Sequence, residues 1–471
     1  MTQTIKVPVV TRIEGHATIS VDLDDAGKVK DATMHVIELR GFEKNLIGME
    51  MSKMPQMTAR ICGVCPTSHL ITSGKALDMA YGLTPPPAGK MLRELMNLSQ
   101  AIFSHALHFF ALGGPDLILG IDSPPEKRNL FGIVEAAPAE AKKALRLRTL
   151  GSKMNEILTG RFTHGIAVVA GGVCYVLEED KRKQLLEYAK EALELSKWAM
   201  EFGKTVMQGK DPKDLMSIMD LECYNVGTVN QGKLDLTYGT IRVMDPKGNI
   251  VQDFETKDWK KYLKENARPD TYIKGTMFEH NGELKLTRGN SLARLNVCDA
   301  MPTPLAQKEL ELFRKNYGRP AHKSILHHYA RLIEMIYACE RAIELLQNPE
   351  ITSKNVRDPI KGLPGIGIGH VEAPRGTLIH EYEGDKHGRV KYANFMVATQ
   401  LNYFAINETI KQAAIHYIEK SDKKCLNALE VAIRLYDPCL SCSTHALPGQ
   451  MPLVLNIYQG GKLIRKVERE L

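Results

Sequence analysis

Several features that would point to common functions are missing from this sequence. No run of about 20 uncharged apolar residues occurs, the length that a helix needs to cross a bilayer, so we expect no membrane span. The first residues, Met1 to Lys6, do not place a basic stretch before an apolar one, so no signal peptide is predicted. Lysine and arginine form no block interleaved with aromatic residues, and the net charge of +7 is small for 471 residues, which argues against nucleic-acid binding. We therefore expect a cytoplasmic protein in a reducing compartment.

Cysteine is also scarce, and its placement is informative. Of nine cysteines, five stand alone and are typical of small buried apolar residues: Cys174, Cys223, Cys298, Cys339 and Cys425. The other four form two Cys-x-x-Cys pairs near opposite ends of the chain, Cys62 with Cys65 and Cys439 with Cys442. In a reducing compartment such pairs bind metals or carry out redox chemistry more often than they form structural disulfides.

The periodicity of the sequence predicts a mixed fold. Apolar and polar residues alternate in 6–10, 17–23 and 31–37, which predicts a short antiparallel sheet at the N-terminus. Helical spacing predicts helices at about 67–82, 89–112, 136–159, 178–208, 321–348, 391–418 and 423–435. Residues 220–300 contain more glycine, asparagine and β-branched residues, and we interpret them as a β-rich insertion on a helical body. Because the two Cys pairs must meet, we expect one interwoven α+β domain, mainly helical, with a central helix bundle.

Four thiolates brought together would select a thiophilic metal over magnesium or calcium, but they do not identify it. A structural zinc site and a four-iron cluster both use four cysteines. Structural zinc ligands usually lie within a compact module, whereas these pairs lie at the two ends of the chain. Polar residues in apolar surroundings also accompany them, in the segments 11–16 and 40–43 and in 372–380, which we predict to lie in a loop rich in glycine and proline. A zinc site that only supports the fold does not need such residues, so this pattern favours a catalytic centre.

Together, the two cysteine motifs make the chain resemble a known family. Residues 60–69 read Arg-x-Cys-Gly-x-Cys-x-x-x-His, and residues 437–445 read Asp-Pro-Cys-x-x-Cys-x-x-His. The sequence resembles, over nearly its whole length, the large catalytic subunit of nickel–iron hydrogenases. It is most similar to the cytoplasmic archaeal branch that does not reduce F420 and that passes electrons to a heterodisulfide reductase. The resemblance implies a large-subunit domain over residues 1–445 and a C-terminal extension over 446–471, which a maturation protease removes in many relatives.

The resemblance also implies the metal ligands. Cys62 and Cys439 would bind nickel terminally, and Cys65 and Cys442 would bridge nickel to an iron that carries cyanide and carbon monoxide. A magnesium or iron ion near the C-terminus would be bound by Glu43, His445 and a backbone carbonyl near Tyr403.

Other residues receive roles around this centre. Arg375 would face the iron's cyanides, held by Asp116 and Asp437. Thr399 would donate to a cyanide, and His69 and Pro374 would lie just outside the ligands. Cys439 would take the proton from H₂, and Glu14 would carry it away. Arg375 is not expected to be the base, because an arginine side chain already carries its proton.

The chain departs from the family pattern at two places. Residues 397–402 lack the proline and tryptophan that relatives often have around the position of Thr399. His164 is followed by glycine rather than proline, and it fits a structural histidine as well as a residue of the site.

The remaining sequence holds no further cysteine cluster that could bind iron–sulfur centres. A separate iron–sulfur subunit is therefore predicted, docked near the first Cys pair, with a further electron-transfer subunit beyond it. Three alternatives stay open: a relative that reduces F420 or NAD(P), the quinone-pocket subunit of respiratory complex I, and a zinc-stabilised scaffold. The complex I subunit shares the fold but lacks the full cysteine set.

Overall fold

The computed structural model describes residues 4–7, 10–124, 126–444, 454–459 and 462–468. His445 lies outside this part of the chain. The α-helices, in chain order, are α1 (Phe42–Asn45), α2 (Met54–Thr58), α3 (Pro66–Ala80), α4 (Pro87–Leu107), α5 (Gly114–Ile118), α6 (Leu130–Ala136), α7 (Pro138–Thr159), α8 (Glu179–Met207), α9 (Lys210–Ile218), α10 (Trp259–Tyr262), α11 (Ser291–Val297), α12 (Pro304–Tyr317), α13 (His327–Gln347), α14 (Ala398–Tyr417), α15 (Asp422–Leu435) and α16 (Leu440–Ser443).

Short β-sheets surround the helices. The strands are β1 (Thr4–Val7), β2 (Ala17–Leu23), β3 (Val29–Val36), β4 (Val168–Val169), β5 (Gly172–Val173), β6 (Tyr224–Asn230), β7 (Lys233–Leu234), β8 (Thr240–Met244), β9 (Ile250–Phe254), β10 (Leu263–Ala267), β11 (Lys274–His280), β12 (Glu283–Lys285), β13 (Thr287–Arg288), β14 (Ile366–Ala373), β15 (Gly376–Gly384), β16 (Val390–Met396), β17 (Val454–Gln459) and β18 (Lys462–Glu468). The α+β, mainly helical fold class is confirmed.

Four long helices, α4, α7, α8 and α13, form the centre of the fold. Helix α13 packs against α8 and α4, and α7 packs against both of these. In α13 nearly every side chain from His327 to Glu340 is buried, as expected for a helix that is surrounded on all sides. One continuous apolar core links this bundle to the N-terminal sheet and to α15, so the two ends of the chain share a single interior.

The N-terminal sheet has the order β1-β2-β3 and is antiparallel, as predicted. Side chains of β2 are alternately buried and partly exposed, because one face of the sheet packs on the core. Strand β3 packs against α14. The predicted β-rich insertion is also confirmed: residues 224–288 form a five-stranded sheet, in which β13-β6-β8-β9 are joined by β7, and a three-stranded sheet β10-β11-β12.

Two predictions of secondary structure are wrong, and of the five isolated cysteines predicted to be buried, Cys174 is exposed. The predicted helix 391–418 begins only at Ala398, because the preceding residues form strand β16. Residues 372–380, read from their glycine and proline as a loop, instead belong to the antiparallel hairpin β14–β15. Glycine serves a different purpose here: a Cβ at Gly369 would lie 2.4 Å from the backbone nitrogen of Ala76, so glycine lets β14 lie directly on α3.

Among the described residues, no helix is both long enough and apolar enough to cross a membrane. The predicted extension 446–471 contains the hairpin β17–β18, and its removal on maturation stays a prediction.

Candidate metal centre

The two Cys pairs meet in the core. Cys62 follows a 3₁₀ turn, Cys65 immediately precedes α3, Cys439 immediately precedes α16, and Cys442 lies within it. The Sγ atoms of Cys62 and Cys439 are 3.3 Å apart, as are those of Cys65 and Cys442. The Sγ atoms of Cys439 and Cys442 are 2.8 Å apart, and all four sulfurs lie within 4.8 Å of one another. The predicted convergence of the two chain ends is confirmed.

The electrostatics of these sulfurs fit a metal centre. All four cysteines are buried. Burial raises the pKa of Cys439 and Cys442 well above the usual range. Burial also opposes ionisation of Cys62, but hydrogen bonds from the other thiols and the charge of Arg375 lower its pKa well below the usual range. A multiply charged cation is the physical means by which all four sulfurs could be ionised together.

His69 lies directly behind one of the predicted bridging ligands. Its Nε2 is 3.3 Å from the Sγ of Cys442, and its Nδ1 is 3.0 Å from Nε2 of His380. The Nδ1 of His380 lies 2.8 Å from the Tyr382 hydroxyl, so a buried chain of polar groups starts at the sulfur. His69 thus lies just outside the four sulfurs, and its role there stays a prediction. His380, the last residue of the segment 372–380, and Tyr382 were given no role from the sequence.

Glu14 touches the other cysteine of the C-terminal pair. Its Oε2 is 3.2 Å from the Sγ of Cys439 and accepts a hydrogen bond of 2.9 Å from the backbone N–H of Ser441. The carbonyl of Glu14 accepts a further bond of 3.0 Å from the N–H of Leu440. Gly15 has φ of 81° and passes close to Leu440, which only glycine allows. Because Glu14 is partly exposed, its carboxylate joins a buried sulfur to the edge of the core.

Arg375 and Asp437 form a buried ion pair beside the sulfurs. Pro374 and Arg375 make the two-residue turn of the β14–β15 hairpin, which carries the guanidinium to a small cavity that Cys65, Cys439 and Cys442 also line. The Nε of Arg375 is 3.2 Å from Oδ1 of Asp437. Burial lowers the pKa of Arg375, but Asp437 and the cysteine sulfurs raise it well above the usual range, so it stays charged.

The predicted contact between Asp116 and Arg375 is wrong. Asp116 lies in the first turn of α5, where its carboxylate receives Nη1 of Arg434 at 3.1 and 3.2 Å. Arg128 Nε lies 3.2 Å from the same carboxylate, and Arg12 also pairs with it. Three guanidinium groups thus surround Asp116, and they come from positions that no sequence motif connects. Asp437 alone of the two predicted carboxylates holds Arg375.

Thr399 also lines the cavity, at the start of α14. Its hydroxyl oxygen accepts a hydrogen bond of 2.9 Å from the backbone N–H of Cys439, so the residue fixes the backbone at this cysteine. His164 lies outside the cavity lining and has φ of 56°, and its Nδ1 is 2.8 Å from the carbonyl of Ala59. It supports the turn before Cys62, which favours its structural interpretation.

The predicted ion site near the C-terminus is only partly described, because His445 lies outside the described residues. Glu43 is largely buried in α1, and its Oε1 lies 3.9 Å from Nζ of Lys274. Lys274 in turn lies 2.8 Å from a carboxylate oxygen of Glu265. The hydroxyl of Tyr403 donates to the carbonyl of Met34 at 3.1 Å. The second ion therefore stays a prediction.

Two buried residues near Asp437 carried no sequence signal. Arg331 lies on α13 and donates to the carbonyl of Leu435. Burial lowers its pKa to about 10, although the charge of Asp437 opposes this. Nε2 of His108 lies 4.0 Å from Oδ1 of Asp437. Both occupy apolar helix positions, where periodicity predicts core residues.

Comparisons with known proteins agree with this site. The profile of the nickel-dependent hydrogenase family matches residues 40–122, and a profile described as HoxL-like matches residues 4–39. The chain is 40% identical over 471 residues to one subunit of the F420-non-reducing hydrogenase vhc of Methanococcus voltae, covering 98% of this chain and 99% of the relative. It is 35% identical over 492 residues to NAD-reducing hydrogenase HoxS subunit beta of Cupriavidus necator, covering 98% and 99%.

A solved structure of an NAD⁺-reducing [NiFe]-hydrogenase in the H₂-reduced state has the same fold, with a TM-score of 0.89 and 33% identity. The match covers 94% of this chain and 100% of that one.

Proposed function

The chain belongs to the nickel-dependent hydrogenase family and is a hydrogenase catalytic subunit, and on that premise we propose that it oxidises H₂ reversibly in the cytoplasm and passes electrons through an iron–sulfur subunit to a heterodisulfide reductase. The observation that carries the proposal is the convergence of four buried sulfurs from both chain ends, with Glu14 and Arg375 against them.

The residues present fit a nickel–iron pair. Cys62 and Cys439 would hold nickel terminally, and Cys65 and Cys442 would bridge it to an iron with cyanide and carbon monoxide ligands. When bound, the metals supply the Lewis acid that the heterolytic splitting of H₂ requires. The guanidinium of Arg375 offers donors toward the diatomic ligands. The Thr399 hydroxyl can also donate, because its contact with Cys439 uses only a lone pair of the oxygen.

The protein's own part in the reaction is to move the proton. The Sγ of Cys439 takes it, and Oε2 of Glu14, 3.2 Å away, receives it next. Arg375 cannot serve as the base, since its neighbours raise its pKa above an already high value. We propose that Arg375 instead orients and stabilises the diatomic ligands, and that Asp437 fixes its charge.

Electrons must leave through another chain. Among the described residues, the four cysteines are the one group of cysteine, histidine and acidic side chains close enough to hold a metal. An iron–sulfur subunit docked near the first Cys pair would accept the electrons. Partly exposed apolar side chains precede that pair and suit such an interface: Ile37, Leu39, Ile47 and Met49. A further electron-transfer subunit would link it to the heterodisulfide reductase.

A second ion site and a cleavage of the C-terminal extension belong to the same proposal. Glu43, His445 and a carbonyl near Tyr403 would hold a magnesium or iron ion. A protease would cut after His445 once nickel is in place and release residues 446–471. Comparing the mass of the chain in active and metal-free preparations tests the cleavage.

A second candidate is an NAD-reducing enzyme, favoured by the likeness to the NAD⁺-reducing structure. Purified complex under H₂ can be offered a viologen dye, NAD⁺, F420, or heterodisulfide together with its reductase. We expect reduction of the dye and of the heterodisulfide, and none of NAD⁺ or F420. Rapid reduction of NAD⁺ would show that NAD⁺, and not the heterodisulfide, is the electron acceptor. Failure to reduce even the dye would contradict the proposed H₂ oxidation itself.

A further inference from the structure

The turn that carries Arg375 is held by its backbone. Each of the four successive carbonyls from 372 to 375 accepts a hydrogen bond from a buried side chain of another element. The amide of Asn97 donates to the carbonyl of Glu372 at 3.2 Å, and that of Asn402 donates to the carbonyl of Arg375 at 3.1 Å. The two carbonyls between them both accept from Arg294.

Arg294, on α11, is fully buried, and all three nitrogens of its guanidinium donate hydrogen bonds, either to the hairpin or to Glu334. Nη1 donates to the carbonyl of Ala373 at 2.9 Å and to Oε2 of Glu372 at 3.0 Å. Nη2 donates to the carbonyl of Pro374 at 3.2 Å. Nε and Nη2 also donate to the two oxygens of Glu334, at 2.6 and 2.7 Å. The guanidinium thus connects the catalytic hairpin to helix α13.

The two carboxylates that hold Arg294 are themselves fixed. Glu334 also contacts Nε2 of His105 at 3.0 Å and the hydroxyl of Ser291 at 2.6 Å. Glu372 accepts from the hydroxyls of Thr228 at 2.7 Å and Thr377 at 2.8 Å. Because every group in this network has partners and none reaches solvent, the guanidinium of Arg294 has little freedom to move.

The guanidinium of Arg375 is held far less tightly. Its Nε pairs with Asp437 at 3.2 Å, but among the described residues no side chain clamps Nη1 or Nη2 as Glu334 and Glu372 clamp Arg294. Its direction is therefore set mainly by the backbone from which it projects. We propose that Arg294 is a positioning residue for Arg375: it locks the carbonyls of Ala373 and Pro374, and so aims the Arg375 side chain at the cavity between the sulfurs. This proposal rests on the hydrogenase function proposed above.

The test is a double-mutant cycle of Arg294→Lys and Arg375→Lys, with turnover measured per bound nickel. Lysine keeps the charge of Arg294 but cannot span two carboxylates and two carbonyls. A misplacement of about 1 Å near the chemistry lowers turnover by about 10²-fold, so we expect a loss of that order with KM for H₂ little changed. In the Arg375→Lys background the same change should add almost nothing. Equal losses in both backgrounds would overturn the proposal.

Infrared spectra give a readout apart from activity. We expect Arg294→Lys to move the bands of the iron's diatomic ligands in the same direction as Arg375→Lys. Unmoved bands would refute the positioning role. Wild-type protein that lacks both bands and nickel would instead refute the proposed function, so the two failures are distinguishable.

Arg93→Lys is the matched control. Arg93 is equally buried, pairs with Asp78 and donates to the carbonyls of Val169 and Gly172, away from the hairpin turn. It should lower stability but leave turnover per nickel and the infrared bands unchanged. If Arg294→Lys does not fold, Glu372→Gln removes one of its two clamps with little change of shape. A smaller loss of turnover that again vanishes in the Arg375→Lys background is expected, and a loss that persists there would contradict the proposal.

Discussion

Replacing Glu14 by glutamine separates proton transfer from metal binding. Glutamine has the shape of glutamate and can still accept the backbone N–H of Ser441, which the carboxylate binds at 2.9 Å. It cannot take a proton from the Sγ of Cys439, 3.2 Å away. The cysteines should therefore hold their metals in Glu14→Gln, while the route for protons is broken.

The sizes of the two effects differ widely. Exchanging a charge-assisted hydrogen bond for a neutral one costs about 1 kcal/mol of stability, so the variant should fold. Losing a positioned acid–base group lowers the rate by about 10²- to 10⁴-fold. Glu14→Asp shortens the side chain by one carbon–carbon bond, about 1.5 Å, so its carboxylate would fall short of the sulfur and give an intermediate rate.

The assay is isotope exchange between D₂ and solvent water, together with conversion of para- to ortho-hydrogen. Exchange with water requires the proton to leave the site, whereas spin conversion requires only that H₂ is split and re-formed. We expect Glu14→Gln to lose the first and keep much of the second. Full solvent exchange in a variant that contains its metals would refute the route through Glu14.

Two further predictions concern the metal ligands and the buried network. Cys439→Ser replaces a soft sulfur by a hard oxygen, so nickel and H₂ uptake should both be lost in elemental analysis and dye assays, whereas Cys298→Ser, at a buried cysteine outside the site, should retain nickel. Burial would raise the pKa of Glu334, but Arg294 and His105 lower it from 4.5 to about 2. Its stabilisation, on the order of 3 kcal/mol, is therefore complete above the unfolded pKa and is lost as the pH falls from about 4.5 toward 2. The difference in unfolding free energy between wild type and Glu334→Gln, measured with denaturant on the metal-free chain, should therefore shrink as the pH falls through that range. A difference that does not depend on pH would contradict this prediction.

The sequence predicted what its motifs encode. Two short cysteine patterns were enough to predict that Cys62, Cys65, Cys439 and Cys442 meet. The family resemblance gave Glu14 a role beside Cys439, and its contact with that sulfur is compatible with the role. The long helices followed from their periodicity. These features are local, or depend on one requirement that the chain ends meet.

Features that depend on distant partners were missed. Asp116 was predicted to hold Arg375, but it forms its ion pairs with Arg12, Arg128 and Arg434 instead. Nothing in the sequence connects those three arginines. The glycine and proline around residues 372–380 indicated a loop, but the segment belongs to a β-hairpin. Gly369 of that hairpin allows β14 to pack closely on α3, which is visible only in three dimensions. Arg294 lies in an otherwise apolar turn of helix, where only the fold reveals that it holds the catalytic hairpin.

X-ray absorption at the nickel edge of the purified complex would show which atoms surround the metal. We expect nickel surrounded by sulfur from both Cys pairs, with an iron atom as a close neighbour, and loss of that signal in Cys439→Ser. Nickel bound only by nitrogen and oxygen, or zinc in place of both metals, would contradict this expectation.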